Sequence, residues 1–425
     1  MKILYHHRIR SKDGQYVHLE ELVGALRDLG HDVRVVGPDA VGSAAFGSDA
    51  GAVAWMKRRL PRAVYELAEW AYGFHAYRRL ARAIAAFGPD VLYERYNLFS
   101  TAGIKARTRF GLPLLLEVNA PIYAERKRFD GIALDGLARA SERAAWRGAD
   151  VLLPVTRALA GIVRETAGSA RRMEVIANGI NLAHFAGPFD GAAVRARWAL
   201  DGRLVLGFTG FVRDWHGLDR VIDAIATDGP EHPRMLFVIG DGPARAALEA
   251  QAERLGIASR VVFTGIVPRN EIPAYVSTFD IALQPAVVPY ASPLKLFEYL
   301  ALGRAIVAPD QPNIREVLDD GVNALLFDPE APDGLTRAIE RLSVDAALRG
   351  RLAAGARATI ERRGLTWARN AERVTGLFEE LLIARGRPVA SVVSGTAARA
   401  EARVRADAES ALVPLAADAE PRTVA

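Results

Sequence analysis

The chain has 425 residues, half of them hydrophobic and a quarter charged, with a formal net charge of +5 and no cysteine. That length exceeds one ordinary core and predicts two domains, and the lack of cysteine excludes disulfides and thiolate metal sites. No stretch reaches the apolar length of a transmembrane helix, and MKILYHHRIR lacks the core and cleavage site of a signal peptide, so a cytoplasmic chain is expected.

In chain order, strand-like apolar runs alternate with helical stretches, the pattern of βαβ units on a parallel sheet. KILYHH is a first strand, RIRSKDG a polar loop and YVHLEELVGALRDLG an amphipathic helix that Gly30 ends before VRVVG. Residues 53–87 mix aromatic, aliphatic and Arg residues. They suit either a helix docked on an anionic membrane or, slightly favoured, a helical pair packed on the first domain with Arg on its wet side. DVLYERY, PLLLEVN and DVLLPV follow as short strands, and the chain then turns away through Asn178-Gly179. The rhythm restarts with RLVLGFTG, MLFVIGDGP, RVVFTGIV, DIALQP and RAIVAP. Two Rossmann-like domains facing a cleft are therefore expected, with ligands beyond the carboxyl ends of the strands. The boundaries read as 1–178, 179–365, a helix at 366–384 packing back on the first domain, and a disordered tail at 385–425.

The basic residues are mostly Arg scattered through Ala-rich helices, without zinc-finger spacing or RNA-binding aromatics, which disfavours nucleic acid as a partner. No Gly-x-Ser-x-Gly, HExxH, Walker A or metal-binding Asp-x-Asp sequence occurs. IGDGPARAAL follows a strand and opens a helix, but Arg245 stands where a dinucleotide loop needs its third glycine. The strongest signal lies in YASPLKLFEYLALGRAIVAPD, residues 290–310. Ser292 reads as an N-cap, Pro293 as the first helical residue and Gly303 as the stop. Lys295 then places a cation in a first turn that favours a carboxylate. GFTGFVRDWHG adds Gly210, Arg213 and His216 after a strand. A phosphate or diphosphate between that loop and the helix start at Ser292, Pro293 and Leu294 relieves the conflict at Lys295. Glu298 then accepts hydrogen bonds from sugar hydroxyls of the same ligand. The bland alternative is a surface Lys295–Glu298 pair worth a few tenths of a kcal/mol, that is about 0.2–0.5 kcal/mol.

Taken together, SPLKLFEYLALGRAIVAPD, REVLDDGVNALLF, IGDGPARAALEA, VVFTGIVPRNEIPAYVSTFDIALQP, IANGINLAHF and KDGQYVHLEELVGALRDLGHDV resemble the retaining glycosyltransferases of family 4. The likeness runs from residue 1 to about 384 and is nearest to members with WHG and SPLKLFEY. It implies an α/β GT-B fold and transfer of a sugar from a nucleoside diphosphate sugar to a hydroxyl acceptor, without metal or other cofactor. Cell-surface polysaccharide or glycolipid synthesis is the implied setting, with a saccharide or lipid-linked acceptor and possible peripheral contact with a membrane. By position, Glu298 matches the second glutamate of the family's E-x7-E element, which binds ribose. Gly14 matches the glycine loop near the diphosphate, Ile266 and Val267 the segment meeting the base, and Gly210 the loop before a basic pair. The chain departs from the pattern at Tyr290, which replaces the first glutamate, and at Phe211 and His216, which replace the basic pair. It departs again at Asn119, in place of a frequent histidine. Arg213 and Lys295 then supply the phosphate charge as catalytic residues with Glu298 and Asn119, and the acceptor enters past His6, His7, Arg95 and Asn119. A GT-B epimerase or hydrolase, and a non-catalytic binding protein, are the competing readings.

Overall fold

The computed structural model describes residues 1–9, 14–38, 59–169, 172–229 and 234–387 and contains two parallel sheets. The first is built from β1 (Lys2–His6), β2 (Asp32–Val36), β3 (Val91–Arg95), β4 (Leu114–Val118) and β5 (Val151–Pro154), in the order β2-β1-β3-β4-β5. The second holds β6 (Leu204–Thr209), β7 (Arg234–Ile239), β8 (Val261–Phe263), β9 (Ile281–Leu283), β10 (Ala305–Pro309) and β11 (Leu325–Phe327), in the order β11-β10-β9-β6-β7-β8. Helices cover both faces, so β3, β4, β5 and β7 are buried at every position and, apart from Glu94, Arg95, Glu117 and Arg234, read as apolar runs. This is the expected α/β GT-B arrangement of two Rossmann-like sheets. The strands expected from sequence all form, trimmed by one to several residues at their ends. Edge strand β11, three residues long, was not expected.

The chain crosses between the sheets twice, and the crossings lie against each other. Ile180 donates to Leu365 O at 3.1 Å, and Trp367 donates back to Ile180 O at 3.2 Å. A Cβ on Gly179 would meet the backbone of Thr366 and Trp367 at 2.6–2.7 Å, so no larger residue fits there. The returning helix Trp367–Ala384 is capped by Thr366, whose hydroxyl accepts from Arg369 N at 3.2 Å. It buries Trp367, Val374, Leu377 and Phe378 among Ile3, Tyr5, Leu22 and Leu26 of the first half.

Residues 53–58 and 388–425 lie outside the described residues, and most of the expected tail falls there. Within 59–87 there is one long helix, Arg62–Phe87, rather than a helical pair. Ala76, Leu80 and Ile84 seat its second half on the first core. Its first half leaves Val64, Leu67, Trp70 and Phe74 exposed on a single face.

Candidate active site

The helix Leu294–Ala301 answers the question raised by Lys295. Its N-cap is Pro293 with no side-chain cap, which corrects the expectation for Ser292. Ser292 is otherwise engaged: its Oγ accepts from Asn178 N at 3.3 Å and its carbonyl from Asn178 Nδ2 at 2.6 Å, tying the helix start to the crossing. Gly303, with φ of 58°, stands just past the C-cap Leu302 as expected. Tyr299 anchors the helix to the second sheet, its hydroxyl accepting from Thr209 N at 3.0 Å.

This anchoring brings Lys295 to the carboxyl end of β6. Its Nζ lies 3.6 Å from the centroid of the buried Phe208 ring, and among the described residues no hydrogen bond or ion pair holds it. The surface pair with Glu298 does not form. Gly210 lies beside Lys295, where a Cβ would stand 3.4 Å from its Cε and Nζ, and its left-handed φ of 131° is what requires glycine. Burial lowers the Lys295 ammonium to about 7, against the opposing pull of Glu298. A half-buried ammonium at a helix start, resting on a π face, is suited to an anion.

The glycines of IGDGP serve this loop rather than a dinucleotide. A Cβ on Gly240 would meet Gly210 O at 2.1 Å, and one on Gly242 would meet Val212 O at 2.1 Å. The two loops are joined by Val212 N donating to Asp241 O at 2.9 Å. Beyond Gly210, Phe211 and Trp215 flank the Arg213 guanidinium at 4.8 and 5.0 Å from its carbon to the ring centroids. Phe211, which replaces a basic residue of the resembled pattern, thus holds another cation in place. His216 Nδ1 accepts from Arg213 N at 3.2 Å, which leaves the proton on Nε2. Burial, then the charges of Lys295 and Arg213, lower His216 to about 2. It presents a neutral N–H donor and no charge. His7 behaves alike, lowered to about 3 by burial and the neighbouring His6 and Arg95. Unfolded histidine takes up a proton below about pH 6.5. The unfolded state therefore binds more protons there, and both residues cost stability as pH falls through that point. In a ¹⁵N NMR titration from pH 8 to 5, both rings are expected to stay neutral in the folded protein.

Glu298 is half-buried one turn beyond Lys295 and is raised to about 7 by burial, with Arg269 and Lys295 pulling the other way. Gly14 opens the helix Gly14–Asp28 on the opposite sheet, and a Cβ there would come within 3.5 Å of Leu294 Cδ1. The two helix starts therefore face each other across the cleft. Ile266 is exposed after β8, and Val267 packs partly into the second core. The closure between domains was not foreseen: Glu21 of the first domain binds Arg269, accepts from Asn181 Nδ2 at 3.1 Å and lies 3.3 Å from His184 Nδ1. Glu316 of the second domain accepts from Arg157 N at 2.7 Å and Ala158 N at 3.2 Å, capping a helix of the first.

Of the residues expected to meet the acceptor, Arg95 and Asn119 come together on Glu117 at one face of the first sheet, His6 pairs with Glu94 on the other face, and His7 turns toward Gly37. Two buried carboxylates that sequence reasoning missed organise them. Glu94 meets His6 Nδ1 at 2.7 Å. Glu117 accepts from Arg95, Asn119, Tyr5 at 3.2 Å and Tyr93 at 2.9 Å. His18 continues the network, with Nε2 3.0 Å from Glu117 and Nδ1 2.8 Å from Asn178 Oδ1. Burial alone would raise Glu117, but His18 and Arg95 together hold it well below the usual carboxylate range. The signal was present as lone acids inside the apolar runs VLYER and LLLEV, because a carboxylate buried in a strand demands partners.

Tyr290 sits where both domains meet. Its carbonyl accepts from Thr156 Oγ1 at 2.9 Å, and burial, then the charge of Glu125 on the helix Ile122–Phe129, raises its phenol. At the end of that helix, Phe129 packs on Trp215 of the β6 loop with ring centroids 5.6 Å apart.

Two facing Rossmann-like sheets with a cleft between them are the GT-B fold. Residues 13–179 match the family Glycosyl transferase 4-like domain, and residues 203–345 match Glycosyl transferases group 1. The chain belongs to this group 1, 4-like glycosyltransferase family, and it is an enzyme. Alpha-D-kanosaminyltransferase of Streptomyces kanamyceticus is 26% identical over 284 residues, 64% of this chain and 71% of that protein. GDP-mannose-dependent alpha-mannosyltransferase of Mycobacterium tuberculosis is 25% identical over 325 residues, 73% and 77% of the two chains. Among solved structures, sucrose-phosphate synthase from Thermosynechococcus elongatus superposes with a TM-score of 0.75 at 18% identity, covering 90% of this chain and all of that one.

Proposed function

We propose that the enzyme moves a sugar from a nucleoside diphosphate sugar to a hydroxyl of a saccharide or lipid-linked acceptor, with retention of anomeric configuration, in cell-surface polysaccharide or glycolipid synthesis. The observation that carries this reading is Lys295, half-buried and, among the described residues, held by no hydrogen bond or ion pair, between the Gly210 loop and a helix start. Lys295 and Arg213 neutralise the diphosphate, His216 donates a neutral N–H, and the amides at Leu294 and the Gly14 helix add partial positive charge. Glu298 accepts from ribose hydroxyls, and Ile266 and Val267 border the base. The bond from the anomeric carbon to the leaving phosphate oxygen breaks as the acceptor oxygen bonds that carbon on the same face. The acceptor proton passes to the leaving oxygen. The WHG and SPLKLFEY sequences support placing the chain in the corresponding subset of its family.

Thermal unfolding against UDP, GDP, ADP and dTDP and their sugar conjugates tests the donor. A ligand at a hundredfold excess over Kd adds about 2.7 kcal/mol, a shift of several degrees. One nucleotide is expected to give that shift, with the response reduced in Glu298→Ala. Release of free sugar or an epimer with every acceptor would favour the hydrolase or epimerase reading instead.

The exposed stripe Val64, Leu67, Trp70 and Phe74, with Lys105 Nζ 4.4 Å over Phe74, supports peripheral contact with an anionic membrane. On this reading, Trp70→Ser with Phe74→Ser reduces sedimentation with phosphatidylglycerol vesicles several-fold. Unchanged sedimentation would remove the membrane from the account.

A further inference from the structure

His18 is buried on the first-domain helix Gly14–Asp28, and neither the diphosphate site nor the acceptor path described above uses it. Its ring joins groups that otherwise lie apart. On one side, Nε2 stands at ion-pair distance from Glu117, 3.0 Å from Oε2, without an aligned hydrogen bond. On the other, Nδ1 lies 2.8 Å from Oδ1 of Asn178, in the crossing between the domains. Asn178 in turn holds Ser292 twice: its Nδ2 donates to the carbonyl at 2.6 Å, and its backbone N donates to Oγ at 3.3 Å. Ser292 stands just ahead of the helix that carries Lys295. Trp367 of the returning helix packs on the imidazole with ring centroids 4.7 Å apart, and Asn370 Nδ2 donates to Ala177 O at 2.7 Å. Both the ring and the crossing are thereby braced.

These partners fix the protons on the ring. The Asn178 amide gives its N–H to Ser292 and so turns Oδ1 to His18, which makes Nδ1 a donor. Glu117 already accepts from Arg95, Asn119, Tyr5 and Tyr93, so a bare lone pair on Nε2 would face a charged oxygen. Either neutral tautomer sets a lone pair against an oxygen on one side, and the imidazolium satisfies both. The other charges around the ring are engaged. Arg95 binds Glu117, Glu21 of the same helix binds Arg269, and Arg369 and Arg373 of the returning helix pair with Glu372 and Glu174. We infer that His18 is a positioning residue, held as an imidazolium, that sets the start of the Lys295 helix against the network of Glu117, Arg95 and Asn119 in the first domain. The inference rests on the reading of Lys295 as the diphosphate cation. Through His18, the donor side and the acceptor side of the cleft share one register.

Two measurements test this. In the ¹⁵N spectrum of the full chain at pH 6, both ring nitrogens of His18 are expected to carry a proton, while His7 and His216 carry one proton each. A bare ring nitrogen on His18 would overturn the inference. The second measurement is a double-mutant cycle of His18→Gln with Lys295→Met, read as affinity for UDP, GDP, ADP and dTDP and for their free nucleosides. His18→Gln is expected to weaken the diphosphate that binds by about tenfold, as for loss of a hydrogen bond to a charged group, and to leave the nucleoside unchanged. In the Lys295→Met background it should cost nothing further, because both changes remove one interaction. Asn178→Ala is expected to give the same pattern, and it replaces His18→Gln in the cycle if that variant does not fold. A merely structural role predicts equal losses for nucleoside and diphosphate that add to the Lys295→Met loss, and that result would overturn the inference. Unchanged diphosphate affinity in both variants would overturn it as well. Failure of wild type to bind any nucleotide would instead sink the diphosphate reading beneath it, with the ring spectrum still reporting on His18.

Discussion

Lys295→Met is expected to lower kcat/KM for the donor by about two to three orders of magnitude, the cost of deleting one preorganised donor at a developing anion. The ligand-free protein should be no less stable for the change. Methionine keeps the aliphatic stem over Phe208 and removes an ammonium that burial has already pushed to about 7. The sign follows from proton counting. Between about pH 7 and the ordinary lysine value near 10.4, the unfolded chain binds a proton that the folded one lacks. Wild-type stability therefore gains from Lys295 as pH rises through that window, and the variant shows no such gain. Ligand binding runs the other way. A sugar diphosphate diester carries fixed charge, so it binds best when Lys295 is protonated, and its affinity falls as pH climbs above 7. Calorimetric melting and donor titration at pH 6.5, 7.5 and 8.5 check both halves. A variant that loses stability and turnover in parallel would mean that Lys295 is a packing residue.

Glu117→Ala carries the largest expected stability effect. The carboxylate is the common acceptor for Arg95, Tyr5, Tyr93 and Asn119 and lies beside His18. Truncation leaves Arg95 buried without its counter-charge, a change that costs about 3–5 kcal/mol. Against a total near 5–15 kcal/mol for a domain, that is a large share. A urea midpoint well below that of wild type is the expected outcome. The same depressed carboxyl gives a pH signature. Its contribution is complete above the unfolded glutamate value, near 4.3, and disappears as pH falls toward the lower folded value. Wild-type stability should thus drop on acidification below about pH 5 more steeply than that of Glu117→Gln.

The sequence conveyed the architecture because buried parallel strands are written as apolar runs and their breaks as Gly, Pro and Asp. Gly210 and Lys295 were legible for a related reason: a cation in a first helical turn and a glycine at a strand end both violate local preference, and functional sites are where such violations collect. Ser292 misled because capping chemistry is local, while the partner that claimed it, Asn178, lies 114 residues away. The carboxylates left the least trace. Glu94 and Glu117 acquire their full meaning from residues on other strands and helices, and a single sequence does not display those partners.

The measurement that tests the central claim most directly is equilibrium binding of UDP, GDP, ADP and dTDP, each beside its free nucleoside, to wild type and Lys295→Met. The account predicts that one diphosphate binds wild type selectively and binds the variant at least tenfold more weakly. The nucleosides should bind both proteins alike. Equal diphosphate binding by the two proteins, or no binding by either, would contradict the placement of the leaving group at Lys295.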